Sequence, residues 1–280
     1  MTYEQAVLKA QSLTNDLDKK HSLLWLFIEL LEIDHSTYYM NLNENLNDDM
    51  SHHYFKLVNK YLDDLIPVQY LVGHSYFYGR KFYVNDNTLI PRSETEMLVL
   101  DTIDLIKERF LNKKINVLDL ATGTGCIGIT LKLELNVDMT ISDISEKALD
   151  VARKNVNKHD LDIKIIKSDW FGNINDKFDV IIANPPYIPI SQDVMDIVNK
   201  EPSSALYSGI HGLDSYQEIL KDAKKYLNEN AIIAFEHGYD QKDALYKLAK
   251  KHFKDALIIQ KKDLANLDRY TYIICGDKNE

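Results

Sequence analysis

The chain reads as an α/β protein, a doubly wound, mostly parallel sheet preceded by a small all-helical domain. Three observations predict this. From Ser93 onward, short apolar runs alternate with segments of helical period, the pattern of a parallel sheet covered on both faces. A glycine-rich turn, Gly123-Thr124-Gly125, follows the first of those runs, and an acid, Asp143, closes the second. Residues 1 to about 70, by contrast, carry helical periodicity alone.

The elements follow in order. Ala6, Ala10 and Leu13 repeat at helical spacing, and Leu23 to Leu31 is too apolar for a helix with one wet side. A third helix places Tyr54, Leu57, Val58, Tyr61, Leu62 and Leu65 on one face, and the Asn-rich stretch Asn41 to Asp49 links it to the others. These form a helical domain over residues 1–72. Gly73 to Asn87 alternates aromatic and polar residues around Gly79-Arg80, which predicts a β-hairpin. Residues 73–92 are read as a connector, and 93–280 as the main domain.

Within it, strands are expected at Asn116–Ala121, Asp138–Ile144, Ile163–Ser168, Val180–Asn184, Ala231–Glu236, Leu257–Gln260 and Tyr270–Cys275. Helices are expected at Glu94–Phe110, Cys126–Leu135, Ser145–His159, Ser215–Tyr226 and Gln241–His252. The last two strands have no helix between them, so they should pair antiparallel as a hairpin.

Composition narrows the function. The hydrophobic content of 45% with 27% charged residues is that of an ordinary globular protein. No apolar stretch reaches membrane-spanning length, and the amino terminus lacks the order of a signal peptide. Cys126 and Cys275 stand far apart, and the nine histidines are scattered, so no metal site is expected. A cytoplasmic monomer is the expectation. The net charge of −10 argues against a nonspecific grip on a phosphate backbone. A protein substrate, with neither direct nucleic-acid nor membrane contact, fits this balance better.

Two constellations carry chemistry. Phe178 to Ala183 is an apolar run that stops at Asn184-Pro185-Pro186-Tyr187, a buried strand ending at its carboxyl edge, where open α/β sheets bind ligands. Prolines have no N–H, so the carbonyls of Asn184 and Pro185 stand as rigid acceptors beside the Asn184 side-chain oxygen and the Tyr187 ring. That set suits a planar NH2 group, although the tetrapeptide alone reads equally well as a strand followed by a turn.

The second constellation is the turn after the first strand, Asp119-x-Ala121-Thr122-Gly123-Thr124-Gly125. Glycines there let a ligand approach the backbone. Asp143, followed by Ile144, ends the next strand, 24 residues after Asp119. A carboxylate at that place accepts from both ribose hydroxyls, in dinucleotides and in S-adenosylmethionine alike. Ser168-Asp169-Trp170-Phe171 follows the third strand, where an adenine would be held. Its rings serve either the base or the core.

With these features in register, the chain resembles the release-factor glutamine N5-methyltransferases (the PrmC/HemK family) over nearly its whole length. The resemblance rests on the tetrapeptide and on Pro67-Val68-Gln69-Tyr70-Leu71-Val72-Gly73, Leu89-Ile90-Pro91-Arg92-Ser93-Glu94-Thr95-Glu96, Glu201-Pro202, Gly212-Leu213-Asp214-Ser215-Tyr216, Glu236-His237-Gly238-Tyr239-Asp240-Gln241 and Asp263 to Arg269. It implies a seven-stranded class I methyltransferase (Rossmann-like) sheet. It also implies S-adenosylmethionine as cofactor, leaving as S-adenosylhomocysteine, and peptide-chain release factors as partners, modified at the glutamine of a Gly-Gly-Gln loop. In that frame Asn184, Pro185 and Tyr187 are catalytic, and Pro186 joins them in holding substrate. Asp119, Ala121, Thr122, Gly123, Thr124, Gly125, Asp143, Ile144, Asp169, Trp170 and Asn184 hold the cofactor.

Three residues depart from the family pattern. Ala121 replaces the usual first glycine, which is tolerable if its φ is negative. Ser93 stands where proline is usual, and a related family acting on a ribosomal-protein glutamine often has serine there. His237 replaces an apolar residue and is read as a partly exposed histidine at a strand end. Arg92, Glu94 and Glu96 either order the hinge through ion pairs or line the substrate channel. Methylation of a ribosomal-protein glutamine or of a nucleic-acid amine shares the tetrapeptide chemistry. A noncatalytic binding factor is the reading from a different class.

Overall fold

A computed structural model describes residues 1–111 and 113–276. The chain divides into two compact units. The first is Met1–His74 with Val194–Lys200, and the second is Ser75–Asp193 with the chain from Glu201 onward.

The first unit holds α1 (Tyr3–Gln11), α2 (Leu17–Leu30), α3 (His35–Met40), α4 (Asp48–Leu62) and α5 (Val68–Val72). Thr2, Asp16, Asp34 and Asn47 cap the first four, each side chain accepting a backbone N–H of the opening turn. The Asn-rich stretch therefore does more than link helices, because Asn47 starts α4. That helix ends at Leu62, and Leu65, expected on its apolar face, lies beyond it at φ +57°. Leu23, Leu26, Phe27, Tyr54 and Val58 are fully buried. The Tyr54 ring meets Phe27 edge-on at 5.1 Å, and its hydroxyl donates to the Leu23 carbonyl at 3.0 Å. A buried phenol is thereby satisfied. Ile197 packs on the same core.

The hairpin is formed by β1 (His74–Phe77) and β2 (Arg80–Tyr83). Its turn is Tyr78-Gly79, one residue earlier than the sequence indicates, with φ of +52° and +71°. Two positive φ values match the twist of a two-residue hairpin turn.

The chain then runs through α6 (Ser93–Phe110), β3 (Ile115–Leu120), α7 (Cys126–Glu134), β4 (Val137–Asp143), α8 (Glu146–Lys158), β5 (Lys164–Lys167) and β6 (Phe178–Ala183). After these come α9 (Ser203–Leu206), α10 (Asp214–Ala223), β7 (Leu227–Glu236), α11 (Lys242–His252), β8 (Leu257–Lys262) and β9 (Asp268–Ile274). Ser93 is the first residue of α6. Proline is favoured at that helical position, so serine and proline are interchangeable there as far as helix geometry goes.

Seven strands form one sheet in the order β5-β4-β3-β6-β7-β9-β8, and β9 runs antiparallel to both neighbours. The expected terminal hairpin is present, with its second strand inserted beside β7. β7 itself starts at Leu227, earlier than its apolar run suggests, through a bulge in its pairing with β6. Alternate residues face opposite layers. Val117, Val180, Ile182 and Ile232 share one core with Leu98 and Ile103 of α6. Leu118, Leu120, Ile181 and Ile233 share the other with Tyr216 and Ile219 of α10 and Leu245 of α11. The strand order reverses between β3 and β6, which opens a crevice at their carboxyl ends. No helix among the described residues is long and apolar enough to cross a membrane.

Candidate active site

A cavity of about 400 Å³ opens at this reversal, within the range of small-ligand pockets. Its wall includes Ala121 to Thr124, Asp143-Ile144, Ser168-Asp169-Trp170, Asn184 and Pro186, with Asn87 to Leu89, Pro91-Arg92, Thr95, Pro202, Ser204, Ala205 and Tyr207 around them. Nine of the proposed cofactor residues are therefore gathered on one surface: Ala121, Thr122, Gly123, Thr124, Asp143, Ile144, Asp169, Trp170 and Asn184.

Asp119 and Gly125 are not on that wall. Asp119 is fully buried behind the turn, where its Oδ2 accepts from the Thr122 hydroxyl and from Gly128 N at 2.9 Å. Burial pushes its carboxyl up to about 7. A Cβ at Gly128 would lie 2.6 Å from Ile141 and 3.1 Å from Asp119 Oδ2, so only glycine lets α7 come this close. Gly125 donates to Thr122 O at 2.9 Å and closes the turn.

Ala121 corrects an expectation. Its φ is +60°, a left-handed conformation that costs an L-residue about 1–2 kcal/mol. The turn overrides this cost by holding the next residue at both ends. Thr122 N donates to Ser142 O at 2.9 Å, and the Thr122 hydroxyl donates to Asp119.

Asp143 organises the opposite side. Its Oδ2 accepts from Gly123 N at 2.9 Å and its Oδ1 from Ser145 N at 2.8 Å. A carboxylate has about four acceptor positions, which leaves capacity for two hydroxyls. Burial raises its carboxyl above the usual range, against those backbone bonds. The same geometry disfavours a dinucleotide. The N–H groups of Gly123, Gly125, Cys126 and Gly128 are each given to a partner within the chain, and a pyrophosphate would meet the Asp143 carboxylate. At Gly123, with φ +56°, nothing lies within 4 Å of where a Cβ would stand, so the cavity passes directly over its backbone. The two rings of the third-strand motif have separate places. Trp170 is half-buried on the wall at φ +44°. Phe171 is in the core, stacked on Tyr226 at 4.5 Å.

The tetrapeptide follows β6 directly, and distant side chains hold it. Asn184 Nδ2 donates to Thr95 Oγ1 at 3.2 Å, and Thr95 Oγ1 donates to Glu236 Oε2 at 2.7 Å. Pro185 is buried, and Tyr187 packs half-buried on the core. The Tyr187 carbonyl accepts from Gln241 Nε2 at 2.8 Å, while Gln241 Oε1 accepts from Gly238 N at 2.9 Å. Gly212 lies against this joint at φ +69°, and a Cβ there would stand 2.0 Å from the Tyr187 carbonyl oxygen. Burial raises the Tyr187 phenol well above its ordinary value; Glu236, Arg269, Arg92 and Glu94 lie within electrostatic reach.

Glu236 is 2% exposed. Burial pushes its carboxyl up to about 7, against the Thr95 hydrogen bond and the charge of Arg269. Asp263 orients Arg269, accepting from its Nε at 3.1 Å. His237, expected to be partly exposed, is fully buried. Its Nδ1 lies 2.8 Å from Gly238 O, and burial holds its pKa below the ordinary value.

Arg92 pairs with the buried Glu201, whose other oxygen accepts from Ile90 N at 2.9 Å. Glu96 Oε1 accepts from Tyr78 N at 2.8 Å. Glu96 thus anchors hairpin backbone, whereas Glu94 Oε2 accepts from the Ser93 hydroxyl at 3.1 Å. Thr95, Glu201, Gly212 and Gln241 all sit in motifs visible in the sequence, but nothing local shows what they hold.

The Methyltransferase small domain model matches residues 98–205. A release factor glutamine methyltransferase from Francisella tularensis is 36% identical over 91% of this chain and 90% of that protein. One from Bacillus cereus is 32% identical over 87% of this chain and 88% of that protein. Among solved structures, a methyltransferase from Pyrococcus furiosus aligns with a TM-score of 0.55 at 16% identity, covering 83% of this chain and 100% of that one; this likeness shows a shared fold. Identity of this extent to both named relatives, along almost their full length, places the chain in the release factor glutamine methyltransferase family.

Proposed function

We propose that this enzyme transfers a methyl group from S-adenosylmethionine to the side-chain amide nitrogen of the glutamine in the Gly-Gly-Gln loop of peptide-chain release factors. One observation carries the reading: Asn184 stands on the wall of the same cavity as Asp143, Gly123 and Trp170. A group held by the tetrapeptide therefore lies beside a ligand held by the glycine turn.

The wall suits the cofactor chemically. Asp143 has free acceptor positions for ribose hydroxyls, Asp169 offers an acceptor and Trp170 a ring for the base, and the turn rejects phosphate. When bound, S-adenosylmethionine supplies a methyl group made electrophilic by the sulfonium charge.

The chain's own residues prepare the acceptor. An amide nitrogen is a weak nucleophile because its lone pair is delocalised into the carbonyl. Asn184 Oδ1 and the Pro185 carbonyl accept its two hydrogens, which fixes the nitrogen and strengthens it as positive charge develops. Tyr187 packs on the amide plane. The surplus amide hydrogen becomes acidic on alkylation and leaves to water, so no dedicated base is needed.

In this reading residues 1–72 dock the release factor, 73–92 connect and 93–280 carry out the transfer. This reading puts the enzyme in the cytoplasm, beside the release factors it would modify.

The test is incubation of the purified protein with methyl-labelled cofactor and a release factor, beside a release factor whose Gly-Gly-Gln glutamine is alanine. Label on the first alone is expected. Asn184→Ala should abolish that label while calorimetry still detects cofactor binding. Label on neither release factor would turn the assignment toward ribosomal-protein or nucleic-acid amines.

A further inference from the structure

The work assigned to Asn184 depends on which end of its carboxamide faces the cavity. The oxygen accepts a substrate N–H, whereas the NH2 group would repel one. The two ends have nearly the same shape, so packing cannot choose between them; hydrogen bonding must.

The choice is made 89 residues away in sequence. Thr95 has one hydroxyl hydrogen and gives it to Glu236 Oε2 at 2.7 Å. In its ionised form, which prevails as pH rises through 7, Glu236 has no hydrogen to return. The Thr95 oxygen can then only accept on its other side, where Asn184 Nδ2 stands at 3.2 Å. Reversing the amide would set two acceptors against each other. Thr95 is 3% exposed and Glu236 2%, so although Thr95 borders the cavity, little water reaches these bonds. Burial and Glu94 of α6 oppose the charged form of Glu236, while the Thr95 hydroxyl, Arg269 of β9 and the Asn184 amide group itself favour it. The phenols of Tyr187 and Tyr216 also lie close enough to feel its charge.

We propose that Thr95 and Glu236 are positioning residues for methyl transfer: by polarising the Asn184 carboxamide in one direction, they present its oxygen to the acceptor amide and make the site selective for glutamine over glutamate. The inference rests on the function proposed above, because it needs a primary amide as acceptor. A glutamate carboxylate in the same place would set oxygen against oxygen, and sites built on such pairing reject the mismatched partner strongly.

The experiment compares Thr95→Val, Thr95→Ser and Glu236→Gln with wild type in the labelled-methyl assay. A release factor carrying Gln→Glu in the Gly-Gly-Gln loop serves as competitor, and cofactor affinity is read by calorimetry. Thr95→Val keeps the volume and loses the hydroxyl. Its kcat should fall on the order of 10- to 100-fold, as for a misplaced catalytic group, with KM and cofactor Kd changed less than about threefold. It should also narrow the preference for the glutamine form over the glutamate competitor. Neither shift follows from a merely structural role. Thr95→Ser should restore kcat to within about threefold of wild type, on the same principle.

Glu236→Gln can accept from Thr95 or donate to it, so it should fall between wild type and Thr95→Val. If Thr95→Val fails to fold, an unchanged kcat in Glu236→Gln overturns the proposal and an intermediate one supports it. Wild-type rates and selectivity in a folded Thr95→Val overturn it outright. Absence of label with the wild-type enzyme instead refutes the proposed function, and this inference falls with it.

Discussion

Two loops meet at the carboxyl edge of the sheet, and each is backed by a fully buried carboxylate that burial pushes up to about 7. Asp119 stands behind the glycine turn and Glu236 behind Asn184 to Tyr187. They differ in how far away their partners lie. Asp119 is bonded to Thr122 and Gly128, three and nine residues on. Glu236 acts through Thr95, 141 residues before it, and the far end of the same loop is fastened by Gln241, 54 residues after Tyr187. The turn is a local device that carries its own fastenings. The proline loop is an assembled one, rigid only because three other elements close on it. A local device tolerates an imperfect residue such as Ala121, whereas an assembled one depends on every joint.

The largest effect should come from breaking a joint of the assembled loop. In Gly212→Ala the new Cβ meets the Tyr187 carbonyl oxygen and Gln241 Nε2, at 2.0 and 2.4 Å. Backbone cannot yield cheaply, so the tetrapeptide must move. Methyl transfer should drop about 100-fold or more with cofactor affinity nearly intact, which steady-state kinetics beside calorimetry will show. Wild-type kcat would mean that the joint is dispensable.

Asp143→Ala strikes the glycine turn from its ligand side. Losing hydrogen bonds to a charged group should weaken cofactor binding by about 1.5–3 kcal/mol, while kcat at saturating cofactor changes little. Unchanged affinity by calorimetry would remove Asp143 from the ribose role.

The two buried carboxylates should behave alike in stability, whatever their reach in sequence. Each has a folded value near 7 against ordinary values of 3.8 and 4.5. Between those limits the folded protein keeps a proton that the unfolded chain has lost. The stabilisation is therefore complete below the ordinary value and disappears as pH rises through 7. Thermal unfolding from pH 5 to pH 8 should show wild type losing stability relative to both Asp119→Asn and Glu236→Gln. A flat or opposite difference would show that these carboxyls are ionised throughout.

The smallest effect is expected at Ala121→Gly. Relief of left-handed strain, about 1–2 kcal/mol, is offset by the freedom glycine adds to the unfolded chain, about 0.4–1 kcal/mol. A rise in the urea midpoint equivalent to about 0–1.6 kcal/mol is the expected outcome. A loss of stability would show that the turn exploits the alanine methyl.

Much of the fold was legible because its signals are local. Apolar runs broken by helical periods marked every strand of the main sheet to within a few residues, and the missing helix before Asp268–Ile274 marked the antiparallel pair. Short helices such as α3 and α5 were missed because six or five residues carry too little periodicity. The left-handed backbone at Ala121 was missed because φ is set there by what Thr122 must reach. His237 was misjudged because burial at a strand end depends on what the following chain folds over it.

The sequence by itself determined the order of strands and helices, the two loops at the carboxyl edge and the family to which they point. Those follow from residue type and spacing along one stretch of chain. Only the tertiary structure decided that Asp119 backs the turn rather than lining the cavity, and that Thr95, Glu236, Gly212 and Gln241 hold the tetrapeptide. Hydrogen bonds act over about 3 Å, and residues far apart in the chain come within that distance only once the sheet has closed its layers.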